Sequence, residues 1–75
     1  MIQFKNTTVD YYNPTSGLVR GHYYVAEFFN GAQFDFWSGR KLTRKEARQV
    51  ALIIANGNYN PLYSKSDIVW VRKQK

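Results

Sequence analysis

A chain of 75 residues with eleven Lys and Arg, five Asp and Glu and no cysteine is one domain. That composition excludes a disulfide scaffold and a thiolate metal site. The longest apolar run, residues 50–55, is far short of the ~20 residues a membrane-spanning helix needs, so no membrane partner is expected. So small a domain buries only roughly 60% of its unfolded surface, and its aromatic content of 17% must supply much of the core. The net charge of +6 sets up a field that attracts polyanions. No apolar stretch follows Met1-Ile2-Gln3-Phe4-Lys5, so the reading is of a cytoplasmic protein.

Residues 2–11, rich in Thr, Val and aromatics with partial alternation, predict a first strand. Residues 13–17 end it at Pro14 and Gly17. Residues 18–29 and 32–38 flank Asn30-Gly31, a strong signal for a hairpin closed by a two-residue type I′ turn. That turn sets Phe29 opposite Ala32, Glu27 opposite Phe34, Val25 opposite Phe36 and Tyr23 opposite Ser38. One face then carries these residues. The other carries His22, Tyr24, Ala26, Phe28, Gln33, Asp35 and Trp37.

Thr43-Arg44-Lys45-Glu46 is a capping box, and Leu42 and Ala47 stand where a hydrophobic staple would be. Ala47, Val50, Ala51 and Ile54 form one apolar stripe at helical spacing. Asn56-Gly57 stops the helix, with Gly57 at the left-handed position. Lys45, Arg48, Gln49 and Leu52 fall off the stripe, and Leu52 among them suggests a contact with a partner. Residues 58–66 predict a polar loop around Pro61. The Tyr-Asn-Pro triplets beginning at Tyr12 and Tyr59 read as loop punctuation. Residues 68–72 predict a short last strand, and 73–75 a frayed basic tail. The fold class is therefore α+β: a small antiparallel sheet of three to four strands, in β-β-β-α-β order, packed on one helix.

One helix covers one sheet face, and Val25, Phe29, Phe34 and Phe36, with Ile2 and Phe4, suffice to meet it. The opposite face would then present Tyr24, Phe28 and Trp37 with Arg20 and His22 at its end. Three readings of that face stand side by side: it stacks on nucleic-acid bases while cations hold phosphates, it anchors a protein partner, or another segment covers it as further core.

Catalysis is not expected. Glu46 is used by the cap, and Glu27 and Asp35 lie on opposite faces in the predicted register, so they cannot share acid–base work. His22 is the only histidine and has no evident relay or metal partner. The glycines do not have the spacing of a phosphate loop. No cofactor and no metal site is expected.

Residues 21–55, with Gly21-His22-Tyr23-Tyr24-Val25-Ala26-Glu27-Phe28-Phe29, a turn, a strand and Leu42-Thr43-Arg44-Lys45-Glu46-Ala47, resemble the three-strand-plus-helix arm-binding domains of tyrosine-type phage integrases and a plant DNA-binding fold of the same build. The resemblance implies a sheet lying in the DNA major groove and directs attention to Arg20, His22, Tyr24, Trp37 and Arg40. The order hairpin, helix, strand also resembles the small phage-encoded inhibitor of bacterial RNA polymerase, which implies a role for Arg72 and Lys73. A phage origin would put the protein in a host cytoplasm.

The expectation is a nucleic-acid-binding protein. Its backbone contacts would come from Arg20, Arg40, Lys41, Arg44, Lys45, Arg48, Arg72 and Lys73, with His22, Tyr24, Phe28 and Trp37 adding contact or stacking. The alternative is a small inhibitor that occludes a host protein of the transcription or defence machinery. A self-associating scaffold component, and with it a homodimer, stays open.

Overall fold

The computed structural model describes residues 2–12, 20–57 and 63–74. Strands β1 (Ile2–Phe4), β2 (Thr7–Tyr11), β3 (His22–Phe28) and β4 (Gln33–Ser38) precede helix α1 (Arg44–Asn56). A 3-10 turn (Lys65–Asp67) then leads into β5 (Ile68–Gln74). The strands form one antiparallel sheet in the order β1-β2-β4-β3-β5, and α1 lies across one of its faces. The expected α+β class holds, with one strand more than the upper expectation. The turns expected at 13–17 and around Pro61, and the start of the strand expected at Leu18, lie outside the described residues.

The additional strand comes from the N-terminus. The single strand expected over 2–11 is a hairpin, with Phe4 opposite Thr7 and Ile2 opposite Val9. Its two turn residues, Lys5 and Asn6, have φ of 45° and 65°. Positive φ at both positions is the type I′ geometry, usually signalled by glycine. Here Asn6, which tolerates that region, stands beside a lysine, and the signal was silent.

The second correction is a register. The loop at Asn30-Gly31 has three residues, not two. The Phe28 N–H donates to the Ala32 carbonyl at 2.9 Å, and the Gly31 N–H donates to the Phe28 carbonyl at 2.9 Å. The Asn30 side-chain oxygen accepts from the Ala32 N–H at 3.1 Å. Gly31 takes the left-handed conformation at φ 84°, as a three-residue loop with a bulge requires. The extra loop residue moves the pairing by one: Ala26 stands opposite Phe34, Tyr24 opposite Phe36 and Val25 opposite Asp35. Because side chains alternate, every β3 residue changes face relative to the expectation.

The core follows from that shift. Tyr24, Ala26 and Phe28 join Phe36, Val9 and Ile68 against Ala47, Val50, Ala51 and Ile54 of α1. Ile2, Phe4 and Phe34 pack at its margin, as expected. Val25 and Phe29 were placed wrongly. Val25 takes the outer face, and Phe29 is 68% exposed at the hairpin tip. Leu52, expected on the outer helix surface, is half-buried against the core.

The helix starts as its sequence specifies. Thr43 Oγ1 accepts from the Glu46 N–H at 3.1 Å, and Glu46 Oε1 accepts from the Thr43 N–H at 3.0 Å. Leu42 and Ala47 are both buried, where the staple would put them. Gly57 closes the helix at φ 52° and donates its N–H to the Ile53 carbonyl at 3.0 Å. The last strand runs on to Gln74, so Lys73 is part of the sheet and not of a frayed tail.

Candidate partner-binding groove

The twelve residues expected to form one binding surface do not share one surface. Tyr24 and Phe28 are core. Tyr24 is 5% exposed, stacks on Phe36 at 5.2 Å, and its hydroxyl accepts from the Leu42 N–H at 2.9 Å. It is a post under the segment that enters the helix. Phe28 is 0% exposed and meets the rings of Phe34 and Tyr63. Tyr63 in turn accepts a hydrogen bond from Asn30 at 3.0 Å, and its backbone exchanges two hydrogen bonds with the Asn56 side chain. Both aromatics are core because the register turns them toward α1, with Tyr63 packed on Phe28 at the margin.

Arg40 is engaged within the chain. Its guanidinium holds Glu46 in a two-pronged ion pair, Nη1 to Oε1 and Nη2 to Oε2, each at 3.0 Å. It donates further to the carbonyls of Lys41 and Lys5. It therefore ties the β1–β2 turn to the start of α1. The hydrogen bonds from Arg40, then the Thr43 N–H, hold the Glu46 carboxyl down at about 2, below its usual 4.5. The same contact raises Arg40.

The outer sheet face is aromatic and acidic, not basic. Strand alternation and the pairing place Asp10, Trp37, Asp35, Tyr23, Val25, Glu27, Trp70 and Arg72 on it. Trp37 lies so close over Gly21 that a Cβ there would overlap the indole. Its ring nitrogen is buried and has no hydrogen-bond acceptor among the described residues. Glu27 and Asp35 share this face, so the register argument against their cooperation fails. Glu27 accepts from Gln33 at 2.9 Å. The Arg72 guanidinium sits 3.9 Å from the Trp70 ring centre, a cation–π contact. Arg20 is exposed ahead of β3, and His22 is half-buried opposite Ser38 on the helix side.

The remaining cations gather on the helix side. Lys41, Arg44 and Lys45 are exposed around the start of α1, and Arg48 follows one turn later. Lys73, opposite Tyr24, shares the helix-side row of β5. Arg44 and Arg48 are four apart, so they stand one above the other on the same flank of α1. They line a groove of about 340 Å³ whose other wall is Val69, Trp70 and Val71 of β5.

Two features of β5 shape this groove. It is an edge strand, with β3 as its only strand neighbour among the described residues. Half of its backbone N–H and C=O groups therefore point away from the sheet. It also carries a bulge. Trp70 pairs with Glu27 and Ile68 with Phe28, so Val69 is the extra residue and is 54% exposed.

None of the chain's five acids lines the groove. Asp10, Glu27 and Asp35 are on the outer face, Glu46 is held by Arg40, and Asp67 accepts from the Ser64 N–H at 2.8 Å in its own turn. Guanidinium groups only donate, so the groove suits a ligand that accepts: a carboxylate or a phosphate. No cluster of His, Asp and Glu able to hold a metal occurs among the described residues. The sequence missed Val69, Trp70 and Val71 as site residues, and the one available signal was the β-branched, aromatic run they form beside Arg72. In comparison with known proteins, no family model, no curated protein and no solved structure matches the chain.

Proposed function

We propose that this protein works by docking on another protein, not by catalysis, and that it holds an acidic segment of that partner in the groove between α1 and β5. The observation that carries this reading is a juxtaposition. Arg44 and Arg48, free of any acidic partner among the described residues, face an apolar wall and an unpaired strand edge. A protein chain can use all three at once: carboxylates for the arginines, small apolar side chains for Val69 and Val71, and its own backbone for the edge. Occlusion of the partner's surface is the matching mode of action.

Nucleic-acid binding is the second reading, favoured by the spread of Lys41, Lys45 and Lys73 beyond the groove. It loses the feature that first recommended it. The expected interface joined Tyr24, Phe28 and Trp37 to cations on one sheet face. Two of these aromatics are core, and the third shares its face with three carboxylates that would repel phosphates. What supports this reading now is charge alone.

Fluorescence anisotropy separates the two. A labelled Glu-rich peptide and labelled single- and double-stranded DNA and RNA are titrated with the protein at about 50 and 200 mM salt, the range over which backbone contacts reveal themselves. Peptide binding that persists at the higher salt, with nucleic-acid binding lost, supports the protein partner. The reverse pattern transfers the groove to a phosphate backbone.

A further inference from the structure

The groove runs beside Val69, Trp70 and Val71 of β5, and the geometry points to how a partner would enter it. We propose that the partner's segment adds to β5 as an extra strand, with acidic residues at alternate positions turned toward α1. This rests on the protein-docking reading and specifies its chemistry.

The argument begins with length. β5 has seven residues, against three in β1 at the opposite edge. At ~3.3 Å per residue it presents ~23 Å of edge, enough to pair a strand of ordinary length. The β1 edge is too short for this, and its turn carbonyl at Lys5 already accepts from Arg40.

Spacing supplies the second step. Arg44 and Arg48 are separated by ~6 Å along the helix axis. Residues i and i+2 of an extended chain are ~6.6 Å apart and point to the same face. Along a strand added to β5 and running beside α1, alternate side chains would repeat at about the spacing of the two arginines. Val69, set out by the bulge, lines the same groove as both arginines. The intervening side chains of the added strand would emerge beside Trp70 and Arg72 on the outer face. Main-chain hydrogen bonds would give affinity and the alternate side chains specificity.

Charge decides the occupant. A second copy pairing β5 to β5 would bring two sets of Arg44, Arg48, Arg72 and Lys73 together, each on a body of net charge +6. Arg and Lys on an edge strand are a recognised barrier to such self-pairing. An acidic strand meets no such barrier, and it neutralises the cations that block the homodimer.

The test uses the full chain, labelled with ¹⁵N, and a short synthetic peptide alternating Glu and Val. Two controls accompany it: the same peptide N-methylated at the backbone positions along one edge, and a scrambled peptide of the same composition. The proposal expects slowed amide exchange in β5 on adding the alternating peptide, and a loss of affinity of roughly tenfold or more for both controls. Arg44→Ala and Arg48→Ala should each weaken binding of the alternating peptide about tenfold. If all three peptides bind alike and β5 exchange is unchanged, strand addition is overturned while the acidic-partner reading stands. If no peptide binds and nucleic acid does, both are overturned. Concentration-dependent protection of β5 without peptide, with a dimer in sedimentation, would make a second copy the occupant and overturn the proposal.

Discussion

The two faces of this sheet are built from similar residues and carry opposite charge. On the outer face Tyr23, Trp37 and Trp70 stand among Asp10, Glu27 and Asp35, with Arg72 as the one described cation. On the helix side Arg44 and Arg48 line a groove with no acid in it, and Lys45 and Lys73 lie beyond it. A net charge of +6 therefore does not describe a uniformly basic body. It describes one basic side and one acidic face, and aromatic content alone distinguishes neither.

The largest effect expected concerns the core that separates these faces. Phe28→Ala should cost ~3–5 kcal/mol in denaturant unfolding, because a fully buried ring is lost. Tyr24→Phe should cost ~1–3 kcal/mol, since it leaves the Leu42 N–H without an acceptor in a buried place. A loss confined to binding, with stability kept, would return both residues to a surface and break the comparison.

Capping comes next. Thr43→Ala should lower stability by ~0.5–2 kcal/mol, read from the midpoint of urea unfolding. The smallest effect is in pH. The carboxyl of Glu46 is held at about 2 in the folded chain, against its usual 4.5. A depressed folded value means that the contribution is whole above 4.5 and is lost as pH falls toward 2. Glu46→Gln should flatten the melting temperature across that interval, and an unchanged slope would show that Arg40 does not hold the charge in solution.

Local rules were legible in the sequence and long-range registration was not. The capping box, the apolar stripe from Ala47 to Ile54 and the existence of the central hairpin follow from spacings of a few residues, and all hold. The loop at Asn30-Gly31 shows where this stops. Its two residues are equally at home in a two-residue turn and in a three-residue loop with a bulge. The choice falls to packing, which here buries Tyr24 and Phe28 in preference to Val25 and Phe29. One residue of slip then exchanged a supposed binding face for core. Arg40 teaches the same lesson: nothing local distinguishes it from Arg44, yet its reach across to Glu46 makes it a structural clasp. The groove was illegible because it needs β5 beside β3, a pairing across more than forty residues of chain.

The most direct test of the account compares two variants of the whole protein. Binding of the alternating Glu and Val peptide is measured by anisotropy for Arg44→Ala/Arg48→Ala and for Trp37→Ala, with a melting curve for each. The account predicts that the arginine pair loses affinity roughly tenfold or more with its melting temperature nearly unchanged, while Trp37→Ala binds as the parent does. Loss of binding in Trp37→Ala with full binding in the arginine variant would place the partner on the outer face and contradict it.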